Sequence, residues 1–130
     1  MSLEINRPEV LAEVELAFAR YEDALVNNRV DILDQLFWTS DRTVRYGATE
    51  NLVGIDAIRA FRTARSPLGL ARQLGNTVIT TFGRDFATAC TDFRREGSDR
   101  IGRQTQAWVR FEQGWRVVAA HVSLIASAPS

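Results

Sequence analysis

The first quarter of the chain carries an apolar stripe with the period of an α-helix. Between residues 8 and 28, apolar and aromatic side chains recur at spacings of three and four residues. Pro8 suits the first turn of such a helix, and Asn28 suits its end. The pattern therefore predicts an amphipathic helix. Its buried stripe is expected to be formed by Leu11, Val14, Phe18, Tyr21 and Leu25.

Two shorter helices are predicted next. Asp31 is placed to cap a helix that runs through residue 37. A third helix is expected over residues 56–64, and the Ser-Pro pair at residues 66–67 ends it, because a residue that precedes proline disfavours helix. The arginines of this segment are expected on sides of the helix other than the apolar one.

The second half alternates between apolar and polar positions with the period of two that is typical of β-strands. A short strand over residues 43–46 is expected to pair with residues 51–53. Four longer strands are predicted over residues 77–82, 86–94, 102–111 and 115–125, joined by tight turns into antiparallel hairpins. Helices followed by a sheet predict an α+β fold in a single domain over residues 1–130, with three helices packed on a strongly bent, mostly antiparallel sheet.

The last hairpin predicts which side chains share a face of this sheet. If Gln113 and Gly114 form a two-residue turn, the numbers of paired residues sum to 227, whereas a three-residue turn would shift the register by one. We expect one face to line a wet pocket under the helices and the other to form a homodimer interface. The predicted pocket face carries Gln104, Gln106, Trp108, Ala119, His121 and Ser123. The predicted interface carries Thr105, Ala107, Val109, Val118, Ala120, Val122 and Leu124.

The charged residues narrow the possible chemistry. Sixteen acidic residues balance sixteen basic ones, and every basic residue is arginine. Without lysine the chain can form neither a Schiff base nor a phosphate-loop lysine contact. A single cysteine and a single histidine exclude an internal disulfide and a Cys/His zinc cage. We therefore expect a protein without metal or cofactor that works through arginine, carboxylate, tyrosine and hydroxyl groups.

The charge balance also bears on partners and location. Zero formal net charge gives no long-range attraction to nucleic acid or to an anionic membrane. No apolar run approaches the roughly 20 residues that a membrane span needs. The polar N-terminus lacks the apolar core of a signal peptide, so a cytoplasmic location is expected.

The strand segments carry a resemblance to a known family. Residues 79–89, 101–111 and 114–123, the last reading GWRVVAAHVS, resemble the AtzH-like branch of the NTF2-like, or SnoaL-like, superfamily of cone-shaped α+β barrels. That branch includes the HpxZ proteins of oxalurate catabolism, and the resemblance extends over about residues 8–125. The general NTF2-like pattern alone implies no function, since that fold hosts both enzymes and interaction modules.

The resemblance to the AtzH-like branch implies an amidohydrolase of small carboxylated ureas or amides. For the AtzH proteins of this branch, the reaction is a decarboxylating hydrolysis that converts 1,3-dicarboxyurea to allophanate. The family's proposed catalytic pair is a tyrosine on the first helix and an arginine on the first strand, and Tyr21 and Arg45 match these positions. The chemistry is also plausible by itself, because a guanidinium binds a carboxylate through two parallel hydrogen bonds and a phenol can act as general acid or base.

A dianionic substrate would need further cationic groups. Arg65 and Arg72 flank the segment that re-enters the sheet and are candidates for a second carboxylate. Gln104, Gln106 and His121 would supply neutral hydrogen bonds to a urea core.

Other interpretations stay open at this point. A tyrosine on an apolar stripe is often a core residue, and Arg45 could form a surface ion pair with Asp41 or Glu50. The protein could also be a non-catalytic dimeric module that binds a small anion or accompanies an amidase. A third possibility is an NTF2-like isomerase or dehydratase, although such relatives generally use a pocket aspartate or a histidine pair, and this chain has one histidine.

Overall fold

The computed structural model describes residues 3–126. Within this range, no helix is long and apolar enough to cross a membrane. The three helices all lie in the first half of the chain and the four long strands in the second, which confirms the predicted α+β class. The elements are α1 (Pro8–Val26), α2 (Val30–Leu36), β1 (Val44–Tyr46), β2 (Asn51–Val53), α3 (Ile55–Ala64), β3 (Gln73–Phe82), β4 (Phe86–Arg94), β5 (Arg100–Phe111) and β6 (Gly114–Ala126).

The six strands form one sheet in the order β2-β1-β6-β5-β4-β3. The pairing of β1 with β6 is parallel, and the other neighbouring pairs are antiparallel. Helix α1 packs over β3 and helix α2 over β6, so the main core lies between the helices and the inner face of the sheet. Buried side chains of the helices, such as Val14 and Leu33, meet Ala89, Trp108 and Val117 of the strands there.

The predicted first helix is confirmed, with two local differences in the helical half. Val10 is buried at the start of the α1 stripe, and Leu11 is half-buried. The prediction that Asp31 caps α2 is wrong, because Arg29 occupies the N-cap position and makes no side-chain cap hydrogen bond. Asp31 lies in the first turn instead, where its negative charge still favours the positive end of the helix dipole.

The register predicted for the last hairpin is wrong. Phe111 pairs with Gly114, so the turn is one position earlier than predicted and the numbers of paired residues sum to 225 near it. That slip of two residues alone would leave every side chain on its predicted face. A bulge next to the Trp108–Val117 pair shifts the register back by one residue, so that Gln106 pairs with Ala120 and the far half of the hairpin differs from the prediction by a single residue.

The bulge moves the far half of β6 to the opposite faces of the sheet. Gln104, Gln106 and Trp108 are buried on the inner face, as the pocket prediction requires. Ala120 joins them on that face, although it was expected at the subunit interface. His121 was expected in the pocket, but it pairs with Thr105 and is exposed on the outer face.

Candidate functional site

Tyr21 lies on the buried stripe of α1 with 4% of its surface exposed. Its ring packs against the ring of Phe37, with 6.2 Å between the centroids. The hydroxyl makes no hydrogen bond to another described residue, so it lacks the backbone acceptor that an ordinary buried tyrosine would use. The phenol is therefore fixed at its ring and free at its reactive end.

Arg45 extends from β1 beneath α3. Its Nη1 donates to Oε1 of Glu50 at 2.9 Å, and its guanidinium lies over the ring of Phe61, 5.3 Å from the centroid. The side chains of this ion pair are only 12% and 19% exposed, so the pair is not an open surface bridge. Burial raises the pKa of Glu50, but hydrogen bonds from Thr49 and Arg45 outweigh burial and hold this pKa below its ordinary value.

Arg62 is a second cation of this region, and it is 2% exposed. Its Nη1 donates to Oδ1 of Asp34 at 3.1 Å, and its guanidinium stacks over the same Phe37 ring that supports Tyr21. Burial lowers the pKa of Arg62, and Nη2 is buried without a hydrogen-bond partner. The Phe37 ring therefore contacts both Tyr21, the candidate proton carrier, and a guanidinium that has one nitrogen without a hydrogen bond.

Arg72 is held by two parallel hydrogen bonds to Glu22. Its Nε and Nη2 donate to the two carboxylate oxygens at 2.8 and 2.7 Å. Nη2 also donates to Oε1 of Gln104 at 3.1 Å, and the guanidinium lies over the ring of Phe93. The full set of contacts makes Arg72 a rigid element that fixes the orientation of the Gln104 amide.

Arg65 and Arg95 differ from the other three arginines because neither has a carboxylate partner within residues 3–126. The Nε and Nη2 atoms of Arg65 and the Nε atom of Arg95 are buried without a hydrogen bond. Burial is the main cause that lowers the pKa of both groups, and the positive charge of Arg45 lowers each of them further. Arg45, Arg65 and Arg95 all line one pocket of about 260 Å³.

Two glutamines of β5 lie on the inner face of the sheet. Gln104 is 2% exposed and Gln106 is fully buried. Each uses its carbonyl oxygen internally, since Oε1 of Gln106 accepts from Nε1 of Trp108 at 3.1 Å and Oε1 of Gln104 accepts from Arg72. Both Nε2 groups are left buried without a partner. The glutamines therefore carry unbonded N–H donors on the inner face of the sheet.

We call the five side chains Arg45, Arg62, Arg65, Arg72 and Arg95 the arginine cluster. In the cluster and the two glutamines, six buried nitrogen atoms lack partners, and all of them are donors. A buried polar group without a partner costs roughly 1–3 kcal/mol, so this many donors indicate a ligand with several acceptor oxygens. Tyr21 lies within electrostatic range of three members of the cluster, which are Arg62, Arg65 and Arg95.

The structure brings together most of the residues that the sequence nominated. Tyr21, Arg45, Arg65, Arg72, Gln104 and Gln106 lie in or beside the arginine cluster. His121 does not, because its ring lies on the outer face with an edge-on contact of 5.9 Å to the Tyr46 ring. The proposed hydrogen bond from His121 to a substrate in this site is therefore incompatible with its position.

Two arginines of the site were missed, although each had a sequence signal. The prediction that the arginines of the third helix lie off its apolar side is wrong for Arg62, which continues the spacing of three and four set by Ile55 and Ile58 and belongs to the buried stripe of α3. Arg95 continues the buried alternation of β4 beyond Phe93, where alternate residues point inward. A reading that continued both periodic patterns through charged residues would have found them.

A larger cavity, of about 730 Å³, lies at the outer ends of α2 and β5. Its walls include Trp38 and Phe111, whose rings stack at 5.6 Å, together with Arg59 and Arg116. None of the unpartnered buried donors lines this cavity. Size alone therefore does not identify the site, and the unsatisfied donors favour the arginine cluster.

Solved structures similar to this chain share its fold over nearly the full length. A protein of unknown function from Pectobacterium atrosepticum is 60% identical, with a TM-score of 0.93 over 94% of this chain and 95% of that one. A cystatin-like fold protein from Burkholderia xenovorans is 47% identical, with a TM-score of 0.94 over 97% and 99%. An NTF2-like protein of unknown function from Pseudomonas putida is 17% identical and matches in fold, with a TM-score of 0.73 over 90% and 87%.

No protein with a curated description is a significant match. The family model named AtzH-like matches residues 3–128, which is almost the whole chain. The match includes α1 with Tyr21, β1 with Arg45 and every other member of the arginine cluster. The chain therefore belongs to the AtzH-like family.

Proposed function

We propose that this protein is a cofactor-independent amidohydrolase that acts on a small carboxylated urea or amide in nitrogen catabolism. The observation that carries the proposal is the Tyr21 phenol, which is buried, has no hydrogen-bond partner among the described residues and lies within electrostatic range of Arg62, Arg65 and Arg95. Such a group combines a movable proton with nearby positive charge that stabilises the anion left after proton transfer.

Arg45 is suited to hold the substrate's carboxylate. Glu50 and the Phe61 ring fix its guanidinium, so little side-chain entropy is lost when a ligand binds. A fixed guanidinium binds a planar carboxylate in one orientation and polarises the adjoining carbonyl group. Arg45 therefore orients the bond that is to break relative to Tyr21.

The chemical step on an N-carboxylated urea breaks the bond between the nitrogen and the carboxyl carbon. The nitrogen receives the proton of the Tyr21 hydroxyl, and the carbon leaves as carbon dioxide. The phenolate then takes a proton from water, and the hydroxide that remains converts carbon dioxide to bicarbonate. Arg62, Arg65 and Arg95 stabilise the transient phenolate, whose negative charge favours their own charged forms.

The direct test follows the fate of candidate substrates in the presence of purified protein. 1,3-Dicarboxyurea, freshly generated in the assay, and oxalurate are incubated with wild-type protein, and carbon dioxide, ammonia and the organic product are measured against a protein-free control. We expect turnover of at least one of them. Anion binding without turnover of either would overturn the hydrolase proposal and favour the non-catalytic binding module.

The chain offers a matched pair of variants for the role of Tyr21, since it contains two tyrosines. Tyr21→Phe removes one hydroxyl and should lower kcat by roughly 10²- to 10⁴-fold, the usual range for a general acid or base. Tyr46→Phe removes the same atom from an exposed residue and should leave kcat unchanged. Near-wild-type kcat of a folded Tyr21→Phe variant would refute the acid/base role.

A further inference from the structure

The fixed charges of the site do not balance. Three members of the arginine cluster form ion pairs, between Arg45 and Glu50, Arg62 and Asp34, and Arg72 and Glu22. Arg65 and Arg95 have no ion-pair partner within residues 3–126. Five guanidinium groups therefore face three carboxylates, which leaves an excess of two positive charges around the pocket.

We infer that Arg65 and Arg95 are specificity-determining residues that make the site select a doubly charged anion over a singly charged one, an inference that rests on the site of the proposed function. Each contributes one unpaired guanidinium with at least one buried, unbonded N–H. Partly buried positive charge without a partner is costly, and a ligand charge of minus two removes that cost at both residues. A ligand with one negative charge leaves one of them unpaired.

The positions of the two arginines allow one small ligand to reach both. Arg65 follows the last turn of α3, and Arg95 follows the end of β4, so they approach the pocket from different elements. Both line the 260 Å³ pocket that Arg45 also lines, and each lies within electrostatic range of the other. This volume is below the usual range for drug-sized ligands and suits a compact molecule with a charged group at each end.

Two neutral donors lie on the inner face of the sheet together with these cations. The free Nε2 group of Gln104 lies beside Arg72 on the inner wall, and that of Gln106 follows two residues along β5. Amide donors bind the carbonyl oxygen of a urea without adding charge. Among carboxylated ureas, the arrangement therefore favours a molecule with two carboxylates, such as 1,3-dicarboxyurea, over one with a single carboxylate, such as oxalurate.

Isothermal titration calorimetry with two unreactive ligands tests this inference separately from turnover. Glutarate carries two carboxylates, and its monoamide, glutaramate, has nearly the same shape with one carboxylate. Wild-type protein should bind glutarate at least tenfold more tightly than glutaramate. Equal affinity for the two ligands, or no binding of either, would overturn the inference.

Arg65→Gln and Arg95→Gln should each weaken glutarate binding by roughly tenfold to a hundredfold, the effect of losing a charge-assisted hydrogen bond. Each should also reduce the preference over glutaramate to less than about threefold. Arg94→Gln is the matched control, because it removes the same charge from an exposed neighbour of Arg95. A variant at Arg65 or Arg95 that keeps the wild-type preference would overturn the inference.

Thermal unfolding distinguishes this role from a structural one. Because both arginines are unpaired within the described chain, Arg65→Gln and Arg95→Gln should leave the Tm of the ligand-free protein unchanged or raise it, and should reduce the stabilisation by glutarate. A fall in the ligand-free Tm with unchanged glutarate affinity would instead show a structural role. Glutarate selectivity without turnover of any urea would contradict the proposed function and leave this inference standing, and turnover of oxalurate without glutarate selectivity would do the reverse.

Discussion

The two faces of β5 and β6 differ sharply although the same two strands form them. On the inner face, Gln104, Gln106 and Trp108 are almost completely buried, and two of these residues present unbonded N–H groups. On the outer face, Thr105 and His121 pair with each other and are exposed. The inner face thus carries unbonded buried donors, whereas the outer face carries exposed polar groups with small and apolar side chains between them.

The contrast shows how strongly one bulge controls the chemistry of a sheet. Side chains alternate between faces, so a shift of one residue exchanges every residue of one strand between inside and outside. The bulge beside Trp108 places Ala120 in the core and His121 outside. The single histidine of the chain is separated from the arginine cluster by this shift alone.

The largest difference in ligand affinity is expected between two variants that place the same negative charge on opposite faces of the sheet. Gln106→Glu keeps the oxygen that accepts from Trp108 but replaces a free N–H donor with negative charge inside the site. It should weaken glutarate binding by roughly a hundredfold or more, because a donor is lost and a like charge is added. Thr105→Glu, one residue away on the outer face, should change this affinity by less than about threefold.

Calorimetry on both folded variants checks this contrast. Equal losses in Gln106→Glu and Thr105→Glu would mean that the two faces are not electrostatically distinct and would contradict the assignment of the site to the inner face.

The homodimer predicted from the sequence would form through the outer face of the sheet. The residues of that face differ from the predicted set because the observed register differs. Thr105, Ala107, Ala119 and His121 now share the region that the sequence assigned to the interface. Wild-type protein is expected to sediment as a dimer at micromolar concentration. Thr105→Glu would place two like charges close to each other at such an interface and should give a monomer, while Gln106→Glu should stay dimeric. A wild-type mass of one subunit would contradict the prediction.

Much of the architecture could be predicted from sequence because its signals are local and repeated. The stripe of α1, the alternation of β4 and the turn residues each depend on spacing within a few positions. The bulge beside Trp108 is different, since no glycine or proline marks it in the sequence of β6. It arises where a strand must meet β5 on one side and β1 on the other, which is a property of the assembled sheet.

Part of the candidate site could be predicted from the sequence, because some of its residues are polar groups with a recognisable chemical role. Tyr21 and Arg45 were found through the family resemblance, and the glutamines through their shared face. Arg62 and Arg95 were missed because a charged residue on a periodic stripe is normally read as exposed. Both stack on buried aromatic rings, which supply the apolar contact that keeps a guanidinium inside the fold.

A smaller effect is expected on thermal stability as the pH changes, because an ion pair with Glu50 holds Arg45 on the inner side. The pKa of Glu50 is below its ordinary value of about 4.5, so this carboxylate stabilises the fold above that pH. The contribution is lost as pH falls through the folded-state pKa, because the protonated acid no longer pairs with Arg45. The fall in Tm between pH 6 and pH 3 should therefore be smaller in Glu50→Gln than in wild type. The exposed residue Glu112 provides the control, and an equally small fall in Glu112→Gln would contradict a specific role of Glu50.

The smallest effect is expected for His121→Ala. Its ring contacts Tyr46 at the surface and reaches none of the arginine cluster, so turnover and glutarate affinity should stay within about twofold of wild type. Stability should change by less than roughly 1 kcal/mol, as is usual for an exposed position. This variant is nevertheless the most direct test of the register. If its monomer-normalised glutarate affinity fell tenfold or more, His121 would face the ligand on the same side as Gln106, and the bulge would have to be absent in solution.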